Sequence, residues 1–306
     1  MQILLNAGTY SNIDIRYRYN SNIFVKKLMS IIKPAGIRKK SYFEVSQRLN
    51  AENLNKYAWL VGMIEGDGWF SISKKGKYLT YEFGIELAVR DVQLIYKIKN
   101  ILGIGTVLFR NTEGRSNTVI LRVRNKTHLK DLILPIFDKY PLISNKQYDY
   151  LRFKDNLLKG IIYSEDFNSN YIRPTIPLNS VESIINLNYF SAWLVGFIEA
   201  EGCFSIYKPI SSTSLIASFE VSQTDGEILI LAICKYLSFT QKVHRDNTNC
   251  FRIKVSSVRS IENVINFMQK APVQLMGFKK LQYLLWLKEL RSITRYNKKI
   301  NIPDTY

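Results

Sequence analysis

The chain has 306 residues, with 43 Lys and Arg against 25 Asp and Glu, a net charge of +18 and a pI near 9.7. That length fits two ordinary domains better than one, and 46% hydrophobic with 13% aromatic residues exclude a chain that stays disordered throughout. The positive excess draws polyanions and points to nucleic acid, while three cysteines without a CxxC pair and two histidines exclude a disulfide scaffold and a Cys/His zinc site.

In chain order, residues 1–52 carry nine Lys or Arg and three acids, with IFVKKLMSIIK a short amphipathic helix. Nothing downstream matches this stretch, so it reads as a basic leader outside both cores. It is a flexible arm, or, from its Arg-rich and acid-poor start, a mitochondrial presequence. No run of about 18 apolar residues and no secretory start occurs, which predicts a soluble, intracellular protein without a membrane partner.

Residues 56–67 have apolar positions at helical spacing and end in Asp67 and Gly68, the glycine being the expected left-handed stop. WFSISKK, YEFGIELAVR, TVLFR and TVILRVR alternate with period two and read as strands. VQLIYKIKNILG reads as an amphipathic helix capped by Gly103, and THLKDLILPIF as another. Helix, strand, strand, helix, strand, strand, helix implies an antiparallel sheet with helices on one face, an α+β unit whose other sheet face is open. Residues 155–186, with Pro174 and Pro177 among Asn and Ser, read as a linker.

The pattern then recurs. AWLVGMIEGDGWFSI at 58–72 and AWLVGFIEAEGCFSI at 192–206 agree at eleven of fifteen positions with an offset of 134. Asp91 and Asp225 follow at the same offset, and NKQYDYLRF at 145–153 aligns with FKKLQYLLW at 278–286. The chain therefore reads as two pseudo-symmetric αββαββα units, 53–154 and 187–306, each a saddle-like sheet backed by helices, joined at the duplicated helix.

A carboxylate in the last turn of a helix opposes the helix dipole, so folding does not favour Asp67 or its counterpart Glu201. Glu65 and Glu199 lie two positions earlier, on nearly the opposite side, and read as structural. Gly62 and Gly66, repeated as Gly196 and Ala200, give each helix a small face that permits an approach closer than the usual ~8–10 Å. Packed that way, the helices bring Asp67 and Glu201 together at their tips, where a shared cation would relieve the repulsion. Oxygen-only ligands select a hard ion, and magnesium suits phosphodiester hydrolysis.

LVGMIEGDG and LVGFIEAEG resemble the signature of the LAGLIDADG homing endonucleases in their single-chain, two-motif form. The resemblance covers about residues 57–295, and the wording around the second motif is similar to that of fungal mitochondrial intron-encoded endonuclease/maturases of the cytochrome b gene. It implies a mitochondrial monomer that cuts both strands of a long double-stranded DNA target across the minor groove, leaving 3′ overhangs. It also implies Mg²⁺, with Mn²⁺ as a substitute, held by Asp67 and Glu201 with the carbonyls of Gly66 and Ala200. Lys146 and Lys279 would stand near the scissile phosphates, with Lys280 an adjacent alternative to Lys279, and Gln223 would order the attacking water; the matching first-unit position is Val89. A maturase binding its group I intron RNA is the alternative, and a DNA-binding regulator without catalysis a third reading.

Strand alternation predicts the DNA-facing side chains. In the first unit these are Ser71, Ser73, Lys75, Lys77, Arg110, Arg122 and Arg124. In the second they are Ser205, Tyr207, Lys242, His244, Arg252 and Lys254.

Overall fold

The computed structural model describes residues 51–111, 117–210 and 214–304; all but the end of the basic leader, with its short amphipathic helix, lies outside them. Helix α1 (Ala51–Asp67) leads into strands β1 (Gly68–Lys75) and β2 (Tyr78–Ala88). Helix α2 (Val92–Leu102) follows, stopped as expected by Gly103 in the left-handed region at φ 69°. Strands β3 (Thr106–Arg110) and β4 (Thr118–Val123) precede α3, which runs in consecutive pieces Lys126–His128, Leu129–Ile133 and Leu134–Lys139. Helix α4 (Lys146–Leu158) closes the first unit, and the short α5 (Val181–Ile185) introduces the second.

The second unit repeats the order with α6 (Phe190–Glu201), β5 (Cys203–Tyr207), β6 (Ile216–Thr224), α7 (Glu227–Tyr236), β7 (His244–Arg245) and β8 (Cys250–Val255). Helices α8 (Val258–Lys270), α9 (Phe278–Ser292) and α10 (Thr294–Asn297) follow. The sheets are antiparallel, in orders β1-β2-β4-β3 and β5-β6-β8-β7.

One repeated phenylalanine anchors both cores. Phe70 meets the rings of Phe83, Phe137, Tyr150 and Phe153 at centroid distances of 4.9–5.4 Å, which seats α3 and α4 under the first sheet. Phe204 meets Phe219, Tyr283 and Trp286 at 5.0–5.3 Å and seats α9 under the second. Burying each such ring contributes about 1.5–3 kcal/mol.

Gly68 and Gly202 do not take the left-handed stop expected of them. Gly202 is extended, with φ −71° and ψ 146°, and Gly68 is not among the glycines with positive φ. The chain leaves each helix directly into a strand that folds back over the last turn. A methyl group at Gly202 would sit 2.6 Å from the Ile198 carbonyl oxygen, and one at Gly68 2.6 Å from Ile64 Cγ2. Close approach, rather than handedness, demands glycine here.

Between α4 and α5 the chain lies along the first hairpin. Leu79 N–H donates to the Ile162 carbonyl at 2.7 Å, Ser164 N–H to that of Lys77 at 2.9 Å, and Tyr81 OH to that of Ile161 at 2.8 Å. Among the described residues, no helix is long and apolar enough to cross a membrane.

Candidate active site

Helices α1 and α6 cross with their backbones in contact. A methyl group at Gly62 would sit 1.9 Å from the Trp193 carbonyl oxygen, and one at Gly196 1.9 Å from that of Trp59. One turn further on, a methyl at Gly66 would lie 2.5 Å from Ala200 Cβ and 3.1 Å from Glu201 Oε1. The bare Gly66 therefore leaves the room that the Glu201 carboxylate occupies, beside Asp67 at the end of α1.

Both acids resist ionisation. Burial pushes the Asp67 carboxyl from its ordinary 3.8 up to about 6; Lys146 and Lys279 oppose the rise and Asp91 adds to it. Glu201 is raised by burial and then by Asp67, against the same lysines. An unfolded Asp67 releases its proton more easily than the folded one, so its contribution to stability is complete below pH 3.8 and lost as pH climbs to about 6. Asp67→Asn, neutral throughout, is expected to stabilise the metal-free protein by ~1–2 kcal/mol at pH 7, after allowance for partial exposure. The gain should vanish near pH 4, and denaturant unfolding at both pH values measures it.

Two lysines reach these helix ends. Lys146 Nζ donates to the carbonyls of Ile64 and Gly66 in the last turn of α1 at 2.9 and 3.1 Å, and to that of Gly68 at the start of β1 at 2.8 Å. Burial lowers its pKa, while Glu65, Asp67 and Glu201 hold the proton on. Lys279 Nζ donates to the Gly202 carbonyl at 2.5 Å, whereas Lys280 Nζ reaches Gln274 Oε1 at 2.9 Å. Of the adjacent pair, Lys279 is the one at the helix end.

Glu65 and Glu199 point away and grip the segments that launch the two lysine helices. Glu65 accepts from the Ile143 and Ser144 N–H groups at 2.7 and 3.2 Å, and from the Ser144 hydroxyl. Glu199 accepts from Met276 and Gly277 N–H at 2.5 and 3.0 Å. Burial raises both pKa values, that of Glu199 to about 7, against the lowering effect of these backbone donors.

Gln223 shares the parity of buried Phe219 and Val221 on the helix side of β6. Its Oε1 is buried without a hydrogen-bond partner among the described residues, and no hydrogen bond there joins it to Glu201 or Lys146.

The open faces have the parity expected. Ser71, Ser73 and Lys75 lie opposite Glu82, Thr80 and Tyr78, Arg122 opposite Gly84, and Arg110 opposite Thr118. Ser205 lies opposite Ser218, and Arg252 opposite Ser222 and His244. Ser205 and Ser218 share a hydrogen bond at 2.8 Å, and the Lys254 ammonium lies 5.0 Å from the Tyr207 ring centre. Lys77 is in the β1–β2 turn, and Lys242 lies ahead of the short β7 rather than in a strand.

These faces also carry acids that the sequence reading missed. Glu82 pairs with Arg124 at 2.5 Å and Glu86 with Arg110 at 3.0 Å, while Glu220 meets Arg252 at 3.1 Å and Lys254 at 3.8 Å. Period-two alternation in YEFGIELAVR and SFEVSQ was the available signal.

The family profile described as LAGLIDADG endonuclease matches residues 60–157 and 194–290. The chain belongs to the LAGLIDADG endonuclease family. Membership makes it an enzyme of the DNA endonuclease class, with each profile match running from within one duplicated helix into the lysine helix of the same unit. The probable intron-encoded endonuclease Cox1-I1b of Schizosaccharomyces pombe is 31% identical over 266 residues, covering 80% of this chain and 67% of that protein. The uncharacterized mitochondrial protein RF1 of Saccharomyces cerevisiae is 29% identical over 318 residues, covering 95% and 64%. The chain thus spans about two thirds of the length of these curated relatives.

Among solved structures, the meganuclease I-SmaMI bound to uncleaveable DNA superposes with a TM-score of 0.63 at 24% identity, covering 79% of this chain and 92% of that one. I-SmaMI bound to its uncleaved DNA target in the presence of calcium ions gives 0.62 at 23%, covering 76% and 89%. At these identities the likeness shows the LAGLIDADG fold.

The donor set fits a hard divalent ion. It consists of carboxylate and carbonyl oxygens without a nitrogen or sulfur ligand, and the Gly66 carbonyl also accepts from the Lys146 ammonium. No group of three or more His, Cys, Asp or Glu that could hold a metal gathers among the described residues. The pair Asp67 and Glu201 would therefore need oxygens from the backbone and from a phosphate to complete a coordination shell.

Proposed function

We propose that the protein is a site-specific homing endonuclease making a magnesium-dependent double-strand break with 3′ overhangs in a long DNA target, acting as a monomer in support of intron mobility. One observation carries this reading: two acids that folding does not favour meet at the tips of two helices, each helix end held by a lysine. Asp67 and Glu201, with the Gly66 and Ala200 carbonyls, are the residues that would hold the metal. A bound magnesium ion supplies an acidified water and stabilises charge on the leaving oxygen. Lys146 and Lys279 place positive charge beside the phosphates that straddle the acids, and the unpartnered Gln223 Oε1 is an acceptor for an ordered water.

The open faces read the target through base edges. Removing the charge at Arg122, Arg124, Arg252 or Lys254 is expected to cost about 1–3 kcal/mol of discrimination at the base pair touched, whereas loss of a phosphate contact lowers the salt slope by about one. Binding assays across single-base target variants and a salt series measure both, and unchanged specificity in all four variants would exclude this face.

We place the protein in the mitochondrion from its resemblance to fungal mitochondrial intron-encoded endonucleases and from the mitochondrial relative. We read the host intron as one of the cytochrome b gene from the wording around the second motif; the fission-yeast relative is named for cox1, so that reading rests on the wording alone. The decisive experiment incubates the full chain and Mg²⁺ with a supercoiled plasmid carrying the intronless junction of the host gene. Linear product with 3′ overhangs supports the reading, and an intact plasmid at every divalent ion tried rejects it.

A further inference from the structure

The two lysine-bearing segments are held by different parts of the molecule. Ahead of Lys279, the second unit is gripped by the first. Phe278 N–H donates to Asp91 Oδ1 at 2.7 Å, and Lys97 Nζ donates to the Met276 carbonyl at 2.7 Å. The Arg90 guanidinium lies 4.8 Å from the centre of the Phe278 ring and pairs loosely with Asp91 Oδ2 at 3.8 Å. Gly277 fits beneath Leu94, where a methyl group would lie 2.6 Å from Leu94 Cδ2. Glu199 of α6 closes the other side of the same segment.

By the repeat, Asp225 occupies the position of Asp91, yet it does something else. It sits in the left-handed region at φ 55° and accepts from Asn249 Nδ2 at 2.5 Å, a bond within its own unit. The segment ahead of Lys146 is held by Glu65 and by the stretch that links the units. Asn179 Nδ2 donates to the Ile143 carbonyl at 3.1 Å, and Asn145 Nδ2 to that of Thr175 at 3.2 Å.

We propose that Asp91 is a positioning residue for Lys279, so that the first unit sets the second unit's lysine while Asp225 does nothing equivalent for Lys146. Asp91 caps the start of α9 at Phe278, one residue before Lys279, and a carboxylate at a helix N-terminus satisfies an N–H that has no partner within the helix. Freed of that bond, the first turn of α9 frays and the Lys279 ammonium leaves the Gly202 carbonyl. Lys146, tied to three carbonyls, is unaffected. The kinetic consequence rests on the nuclease reading: loss of Asp91 slows the strand cut that depends on Lys279 and spares the other.

Two measurements on the full chain decide this. In Asp91→Ala, amide exchange at Phe278 and Lys279 is expected to rise about tenfold or more, the scale of one hydrogen bond to a charged group, with exchange at 144–147 unchanged. On the target plasmid, one strand should be cut about tenfold more slowly, so that nicked circle accumulates. Asp91→Asn, whose amide oxygen can still accept from Phe278, should restore both readouts. Lys97→Met, which frees the Met276 carbonyl, should raise exchange in the same segment and serves if Asp91→Ala fails to fold. Unchanged exchange at 276–280, or both strands slowed by one factor, overturns the proposal. If the wild-type chain leaves the plasmid intact, the nuclease reading fails and the exchange measurement still decides whether Asp91 positions Lys279.

Discussion

Asp67→Asn and Glu201→Gln are each expected to abolish double-strand cleavage while leaving DNA affinity within about tenfold of wild type. Neither acid is asked to read a base: each ends a helix at the seam between the units, beside a lysine that already satisfies backbone carbonyls. Amide replacements keep the shape and lose the charge that would bind metal. The protein should become no less stable, because burial already disfavours both charges. Plasmid cleavage beside a filter-binding or fluorescence titration separates the two effects. Normal linearisation by either variant would remove that acid from the metal site.

The largest stability effect is expected at the helix crossing. Gly62→Ala or Gly196→Ala puts a methyl carbon 1.9 Å from a backbone oxygen of the facing helix. No side chain can swing aside there, so the helices must separate along a seam lined by fully buried Trp59 and Trp193. We expect a loss of at least about 4 kcal/mol, a large share of the ~5–15 kcal/mol that holds an ordinary protein folded. Chemical denaturation measures it, and a midpoint within a few tenths molar of wild type would mean that the crossing adjusts freely. Gly66→Ala meets the softer Ala200 Cβ and the Glu201 side chain, so it should disturb the acid more than the fold.

Much of this architecture was legible because it obeys local periodicities. Period-two alternation gave β1 to β4 and the parity of their faces, the repeat carried that pattern into the second unit, and the small residues at 62, 66, 196 and 200 gave the crossing. What stayed hidden depends on non-local geometry. Gly68 and Gly202 follow the last acid of a helix as a stop glycine would, and only the path of the next strand reveals that crowding set the residue. Asp91 and Asp225 are equivalent by offset and divergent in use, since partners near 278 and 249 are chosen by packing rather than by local sequence. The paired acids on the open faces were within reach of the same alternation that found the arginines.

Those acid pairs separate attraction from reading. An arginine beside a glutamate is nearly neutral when viewed from beyond a Debye length of ~8 Å, so Arg110 and Arg124 add little to the long-range pull on a passing duplex, while Arg252 and Lys254, sharing Glu220, keep one positive charge between them. That pull must come from the rest of the +18 excess. Search speed should then fall steeply with ionic strength, while the choice among sites, once a duplex is seated, depends on short contacts that salt barely screens. A guanidinium already anchored by its carboxylate also has less rotamer freedom to lose on docking, which favours a face that discriminates by shape and hydrogen bonding over one that merely clings.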